Sequence, residues 1–389
     1  METSIQWLPE IFDENSSLKF RSPFHTFLIK VASLCNLNCS YCYVYNSPDK
    51  SWEWKPTFLQ DVTVNQISFR IREHVIKHDI DEITIIFHGG EPLLAGLDRL
   101  KTYVQIFSSV IPCKVLYGMQ TNGTLLDKNF VDFFIQNNFR VGYSLDGPKE
   151  YNDKNRLYHS GKSSYDDTVR AIELVHSNSE SLKTFGGLLF VIDINYEPAE
   201  ILNTIKELGV KCANLILPDG HYESPPPYLS KNDLKYGKWL YDFFYLWYNK
   251  YPEIEIPYLE QIITMMIGGF SSAEEIGSLS VDFIVIDTNG DIEAVDTLKI
   301  VGREATSLNL NVEYNSLDDA LKHPAIFSRM SGFNSLCKEC QACEYLSNCG
   351  GGYIPHRYSK ENGFQNTSVY CNDLKYLFLK MKEYLFVKQ

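Results

Sequence analysis

The stretch FHTFLIKVASLCNLNCSYCY, residues 24–43, decides the fold. Its first nine residues, 24–32, are rich in β-branched and aromatic side chains and read as a strand. On the loop that leaves this strand stands Cys35-x-x-x-Cys39-x-x-Cys42. Three thiolates cannot complete the four-thiolate shell of an ordinary cubane cluster. They bind three irons and leave the fourth open to an exogenous ligand, and an amino acid with a free amine and carboxylate suits that vacancy. The alternative is a zinc knuckle, which wants a fourth protein ligand nearby. His25 precedes the window inside the strand, and no histidine lies between 26 and 73.

Outward from this stretch, further strand candidates are EITIIFH (82–88), KVLYGMQTN (114–122), FRVGYSL (139–145), TFGGLLFVID (184–193) and CANLILPD (212–219). Segments of helical period alternate with them, such as VNQISFRIREHVIKH (64–78), where Ile67, Ile71, Val75 and Ile76 recur at helical spacing, and DDTVRAIELVHS (166–177). The alternation predicts an α/β fold with a parallel sheet and right-handed crossovers. Six such units fit a partial (β/α)6 barrel rather than the closed eight. The expected layout is an N-terminal extension (1–23), the barrel (24–220), a helical linker region (221–275) and a small cysteine-rich domain (276–389). The linker opens on HYESPPPYLSK and continues with helices expected over 232–250 and 256–269, the aromatic stripe of the first being core. The last domain opens on DFIVIDTNGDIEAVD, whose Asn289-Gly290 favours a tight hairpin turn.

Composition narrows the function. With 36 Lys and Arg against 49 Asp and Glu, the net charge of −13 makes nucleic acid and anionic membranes poor partners. No stretch approaches the ~18 apolar residues of a membrane helix. The start, METSIQWLPEIFDENSSLKF, is acidic where a signal peptide is basic, so a cytoplasmic location is expected. Without export, ten cysteines point to metal ligands or catalytic thiols rather than disulfides. Eight of them fall in two windows, and only Cys113 and Cys212 stand alone.

CNLNCSYCY (35–43), with the aromatic Tyr41 before its last cysteine, resembles the signature of the radical S-adenosylmethionine superfamily. The second strand ends FHGGEP (87–92), matching the glycine-rich turn that this family sets beside the methionyl amine of the cofactor, here Gly89, Gly90 and Glu91. Thr121-Asn122-Gly123 follows the third strand and Ser144-Leu145-Asp146-Gly147 the fourth, with Arg156 beyond. The resemblance implies that Asn122, Ser144 and Arg156 hold the ribose or the methionyl carboxylate.

The second window, CKECQACEYLSNCGGGYIPHRYSKENGFQNTSVYC (337–371), resembles the SPASM-type auxiliary-cluster tail of peptide and protein maturases. Cys340, Cys343, Cys349 and Cys371 match the positions that enclose one [4Fe–4S] cluster, which a closed four-thiolate shell suits to electron transfer. Tyr353 and Val295 stand where the family has further cysteines, which implies that a second auxiliary cluster is lost and leaves Cys337 over. A zinc ribbon is the alternative. Asp296, directly after Val295, is by the same resemblance the catalytic base, against the alternative of an exposed hairpin aspartate.

A narrower likeness, carried by Gly350-Gly351-Gly352, His356, Arg357 and Tyr358, is to enzymes that build three-residue cyclophanes in ribosomal peptides. It implies a carbon–carbon crosslink between an aromatic ring and the β-carbon of a nearby residue. The adenosyl radical would take the β-hydrogen, Asp296 the proton and the tail cluster the electron. The partners implied are a ribosomal precursor peptide and an electron donor such as a flavodoxin or ferredoxin. The precursor's leader would bind a sheet edge or be delivered by a separate protein. The rivals are a thioether-forming or sulfatase-type maturase, and a non-catalytic iron–sulfur or zinc-binding regulator.

Overall fold

The computed structural model describes residues 5–10, 22–230, 232–271, 273–277 and 281–387. Most of the expected N-terminal extension, residues 1–4 and 11–21, lies outside the described residues. Two compact units emerge. One comprises Ser22–Leu189 and Asp282–Ile326, the other Met1–Arg21, Phe190–Val281 and Phe327–Gln389.

The first unit is built on strands β1 (Thr26–Ala32), β2 (Glu82–Gly89), β3 (Lys114–Thr121), β4 (Arg140–Ser144), β5 (Phe185–Val191, whose last two residues count with the second unit), β7 (Phe283–Ile286), β8 (Asp291–Glu293) and β9 (Ser307–Asn311). Their order is β5-β4-β3-β2-β1-β7-β8-β9. Strands β1 to β5 and β7 run parallel, while β8 and β9 are antiparallel. Helices α1 (Asp61–His78), α2 (Leu97–Val110), α3 (Lys128–Gln136) and α4 (Tyr165–His176) make the crossovers, as the strand–helix alternation predicts. Covered strands bury both faces, and in β1 Phe27, Ile29 and Val31 are fully buried; so is Lys30, at 3% exposure, which requires partners.

Helix α1 buries Val64, Ile67, Ser68, Ile71, His74 and Val75, but Ile76 is exposed. The buried stripe turns toward His74 because this ring is used at both nitrogens. Its Nε2 accepts the Phe24 backbone N–H at 3.0 Å, and its Nδ1 donates to Asp318 at 2.6 Å.

The boundary expected at residue 276 does not coincide with these units. The Asn289-Gly290 hairpin forms, with Gly290 at φ 82°, but its first strand pairs with β1 in register Ile29↔Ile286. Residues 282–326 therefore group with the barrel strands rather than with the cysteine-rich tail.

The second unit holds β6 (Ala213–Ile216), where Ile192 N–H donates to Ile216 C=O at 2.9 Å, and helices α5 (Pro198–Glu207), α6 (Lys235–Lys250), α7 (Pro257–Met266) and α8 (Cys371–Lys382). The aromatic stripe of α6, Trp239, Phe243, Phe244 and Trp247, is buried as core. Helices α6 and α8 approach closely at Gly237, whose N–H donates to Asp373 at 2.8 Å and where a Cβ would collide with the Asp373 carbonyl. Among the described residues, no helix is long and apolar enough to cross a membrane.

Candidate active site

All three cysteines of the first window lie on the loop after β1, and that loop is clamped from several sides. Asn38 N–H donates to Leu157 C=O at 2.7 Å and Ser40 N–H to Asn155 C=O at 3.1 Å. Tyr41 donates its hydroxyl hydrogen to Asp146 at 2.7 Å and accepts from Arg156 at 2.9 Å. Leu37 N–H reaches the Cys35 sulfur at 3.4 Å. Burial pushes the Cys35 thiol up to about 12, with Glu91 and then the other two cysteines adding to it. Burial raises Cys39 and Cys42 as well, and Arg156 pulls Cys39 partly back. Three half-buried thiols beside one guanidinium form a donor set that a bound cation would hold as thiolates.

The Gly89-Gly90 turn leans on this loop. Gly90 N–H donates to Ala32 C=O and Glu91 N–H to Leu34 C=O, each at 2.9 Å. A Cβ on Gly89, at φ 139°, would strike the Ala32 carbonyl, and one on Gly90 the Leu34 carbonyl. Glycine is thus required by the close approach of turn and loop. Glu91 is wholly occupied within the chain, accepting from Thr121 at 2.6 Å, Asn122 N–H at 2.8 Å and Leu93 N–H at 2.9 Å. Asn122 also faces the loop. Its amide nitrogen donates to Asn36 at 2.9 Å and approaches the Cys35 sulfur at 3.8 Å, while its oxygen accepts from Thr124. Ser144, at the end of β4, accepts from Gln120 at 2.9 Å. Arg156 is buried with its Nε lacking a hydrogen-bond partner, the kind of orphan that a ligand satisfies.

Asp296 is 4% exposed, so the exposed-hairpin alternative does not hold. Tyr43 donates to its Oδ2 at 2.9 Å, Lys30 Nζ stands 3.9 Å away and His88 Nδ1 3.7 Å. Burial would raise this carboxyl, but Lys30, His88 and Tyr43 together hold it below the usual range. Behind it lies a charged network that the sequence reading does not contain. Lys30 pairs with Asp287 at 3.4 Å and Glu293 at 3.1 Å; Lys55 pairs with the same two at 2.7 and 2.6 Å. Lys299 pairs with Asp49 and Glu293, each at 3.3 Å. The register Ile29↔Ile286 is what brings Lys30 to Asp287. The one available signal was a lysine inside an otherwise apolar strand.

In the second unit, Cys340, Cys343, Cys349 and Cys371 line one cavity of about 460 Å³, its opening included, floored by Leu346, Leu374 and Phe378. Cys337 lies outside the lining, buried in a cluster with Leu336 and Cys340. Three successive left-handed glycines, Gly350 to Gly352 at φ 62°, 84° and 68°, turn the chain away from Cys349. A Cβ on Gly350 would overlap the Gly277 carbonyl.

One tetrahedral zinc ion holds its sulfurs about 3.8 Å apart. Among the described residues, the group of three or more histidine, cysteine or carboxylate ligand atoms lying within 4.8 Å of one another is His74, His78 and Asp318. Neither cysteine set forms such a group among the described residues. The His74 group is a structural tie, since both ring nitrogens of His74 are already hydrogen-bonded.

Residues 29–208 match the model of the radical SAM superfamily. The chain is 28% identical over 367 residues to the cysteine-type anaerobic sulfatase-maturating enzyme of Clostridium perfringens (strain 13 / Type A), covering 90% of this chain and 94% of that one. Among solved structures it is similar to native anSMEcpe with bound AdoMet and Kp18Cys peptide, at a TM-score of 0.78 and 26% identity, covering 93% of this chain and 98% of that chain. Streptococcus suis SuiB bound to precursor peptide SuiA shares the fold at a TM-score of 0.61 and 14% identity, with 92% and 78% covered.

Proposed function

We propose that this chain, whose residues 29–208 match the radical SAM superfamily model, is a radical SAM peptide maturase that joins an aromatic side chain to the β-carbon of a nearby residue. That it matures a peptide or protein accords with its relatives, and the crosslink is our finer reading. One observation carries it: a buried carboxylate, Asp296, held by Tyr43 and Lys30 in the same compact unit as the three-cysteine loop.

Cys35, Cys39 and Cys42 would hold the cluster that binds S-adenosylmethionine, and Cys340, Cys343, Cys349 and Cys371 a second one. Bound there, these groups supply the hydrogen-atom abstraction and one-electron transfer that no side chain performs. Arg156 and Ser144 would hold the polar end of S-adenosylmethionine. Glu91 and Asn122, their side chains spent on the chain's own loops, would fix the cysteine loop instead. Asp296 would supply the negative charge on the side of the site where a proton leaves, and Tyr43 and Lys30 keep it ionised and in place. The precursor peptide is the expected substrate, with a flavodoxin or ferredoxin as electron donor.

A second reading, a sulfatase-type maturase that oxidises a cysteine or serine to an aldehyde, is favoured by the sulfatase-maturating relative, alike over 90% of this chain. Against it stand Val295 and Tyr353 in place of the cysteines of a second auxiliary cluster. Anaerobic co-expression with the small peptide encoded beside the gene, followed by mass measurement and hydrazide labelling, separates the two. The crosslink predicts a product lighter by two hydrogens that no hydrazide captures. A hydrazide-reactive product establishes the aldehyde, and an unmodified peptide counts against the crosslink.

A further inference from the structure

His88 stands near the end of β2 (Glu82–Gly89), just before the glycine pair. Its Nδ1 is buried, makes no hydrogen bond and lies 3.7 Å from Asp296 Oδ2. The ring keeps 19% of its side-chain surface exposed, against 5% for Asp296 and 4% for Lys30. An incoming substrate therefore meets the imidazole before the carboxylate. Resting on the maturase reading, we infer that His88 takes the substrate's proton at Nε2 while Asp296 orients the ring through Nδ1–H.

Asp296 alone is poorly suited to that task. Its Oδ2 already accepts from Tyr43, and Lys30 helps to hold the carboxyl below its usual range, which makes it a weak base at neutral pH. His88 is held below its ordinary value of 6.5, by burial first and with Lys30 contributing, while Asp296 opposes. At neutral pH the ring is uncharged. With the hydrogen on Nδ1 facing the carboxylate, the Nε2 lone pair is free to accept.

The charged groups facing the ring are Asp296 and Lys30, the latter paired with Asp287 and Glu293. From β3, the register that ends at Phe87↔Met119 continues to the uncharged Gln120 beside His88, and Tyr43 reaches the same corner through its hydrogen bond to Asp296. The ring is thus the group that titrates in this corner. The gap of 3.7 Å is slightly beyond a hydrogen bond, as is common before substrate binds. In the step, a substrate C–H bond breaks with its electron pair left on the substrate. An Nε2–H bond forms, and Asp296 neutralises the imidazolium. One proton moves and no electron.

The test compares His88→Gln, His88→Ala and Asp296→Asn with the parent enzyme. It uses the loaded protein and the peptide that co-expression shows to be modified, and reads the product formed per 5′-deoxyadenosine released. His88→Gln is expected to release 5′-deoxyadenosine at the parent rate but to form about 10²-fold less product per release. Imidazole should restore part of the yield to His88→Ala. In the parent the yield should fall as pH drops below 6.5, because protonation removes the Nε2 acceptor, and this acid limb should vanish in His88→Gln. The parent profile is informative even where a variant folds poorly: a yield flat well below pH 6.5 overturns the inference. So does a His88→Gln enzyme that keeps both parent yield and acid limb while Asp296→Asn loses the yield. A parent that releases no 5′-deoxyadenosine at all overturns the maturase reading, and this inference with it.

Discussion

Cys39→Ala is expected to abolish 5′-deoxyadenosine formation and to lower bound iron from about eight atoms per chain to about four. The loop after β1 offers three sulfurs, and two cannot hold a cubane. Tyr41 and Arg156 beside them are already engaged with each other, and Tyr41 with Asp146. Cys343→Ala should also lower iron to about four, yet leave 5′-deoxyadenosine release intact, because its sulfur lines the separate cavity in the second unit. Cys337→Ala should leave the iron count unchanged, since Cys337 is outside that lining. Metal analysis of the three variants after anaerobic reconstitution checks this. Loss of all iron from either single variant would mean that the two sets are not independent. A count near four in the parent would remove the tail cluster from the account.

Lys30→Met is expected to cost about 3–5 kcal/mol of stability, because it removes the one buried lysine that meets Asp287, Glu293 and Asp296 together and leaves their negative charge only partly balanced by Lys55 and Lys299. Methionine nearly matches the lysine in length, so loss of packing is not the main term. Despite burial, Glu293 and Asp287 hold Lys30 well above its usual range, and Lys30 and Lys55 hold Asp287 well below its own. The sign follows from linkage. The Asp287 contribution is present above 3.8 and lost as pH falls, and the Lys30 contribution is present below 10.5 and lost as pH rises. The parent should therefore show its full advantage over Lys30→Met at neutral pH and a smaller one in strong acid. Thermal unfolding should place the variant several degrees lower at pH 7. Equal midpoints at that pH would show that the network contributes nothing net.

Local spacing made much of the molecule legible. Cys35, Cys39 and Cys42, the strand ends at Gly89 and Asn122, and the Asn289-Gly290 turn are each written within a few residues. Every barrel strand was found to within three residues at each end, because covered parallel strands are short apolar runs. What the hairpin pairs with was not legible. Nothing in DFIVIDTNGDIEAVD says that its first strand joins β1 on the edge opposite β2. The short strand β9, Ser307–Asn311, is not among the expected strands, and its two Asn residues are of a type that strands disfavour.

The charged network escaped for a stronger reason. Lys30 and Asp287 are 257 residues apart, and only the parallel pairing of β1 with β7 brings them together. Ile76 was placed on the buried stripe of α1 because apolar spacing was the sole guide, whereas the helix turns a buried histidine inward to hold Phe24 and Asp318. The resemblance assigns Asn122 and Glu91 to the cofactor, whereas in the structure the Asn122 side chain bonds to Asn36 and Thr124 and the Glu91 side chain to Leu93, Thr121 and Asn122. A motif locates a residue without saying which way it faces.

Every role assigned above depends on the reaction that the first cysteine loop supports. The most direct measurement incubates the anaerobically reconstituted parent enzyme with S-adenosylmethionine and a low-potential reductant, and quantifies 5′-deoxyadenosine by chromatography. Release is expected, dependent on reductant and on each of Cys35, Cys39 and Cys42. A fully iron-loaded enzyme that releases none, or one that releases as much with those cysteines replaced, would contradict it.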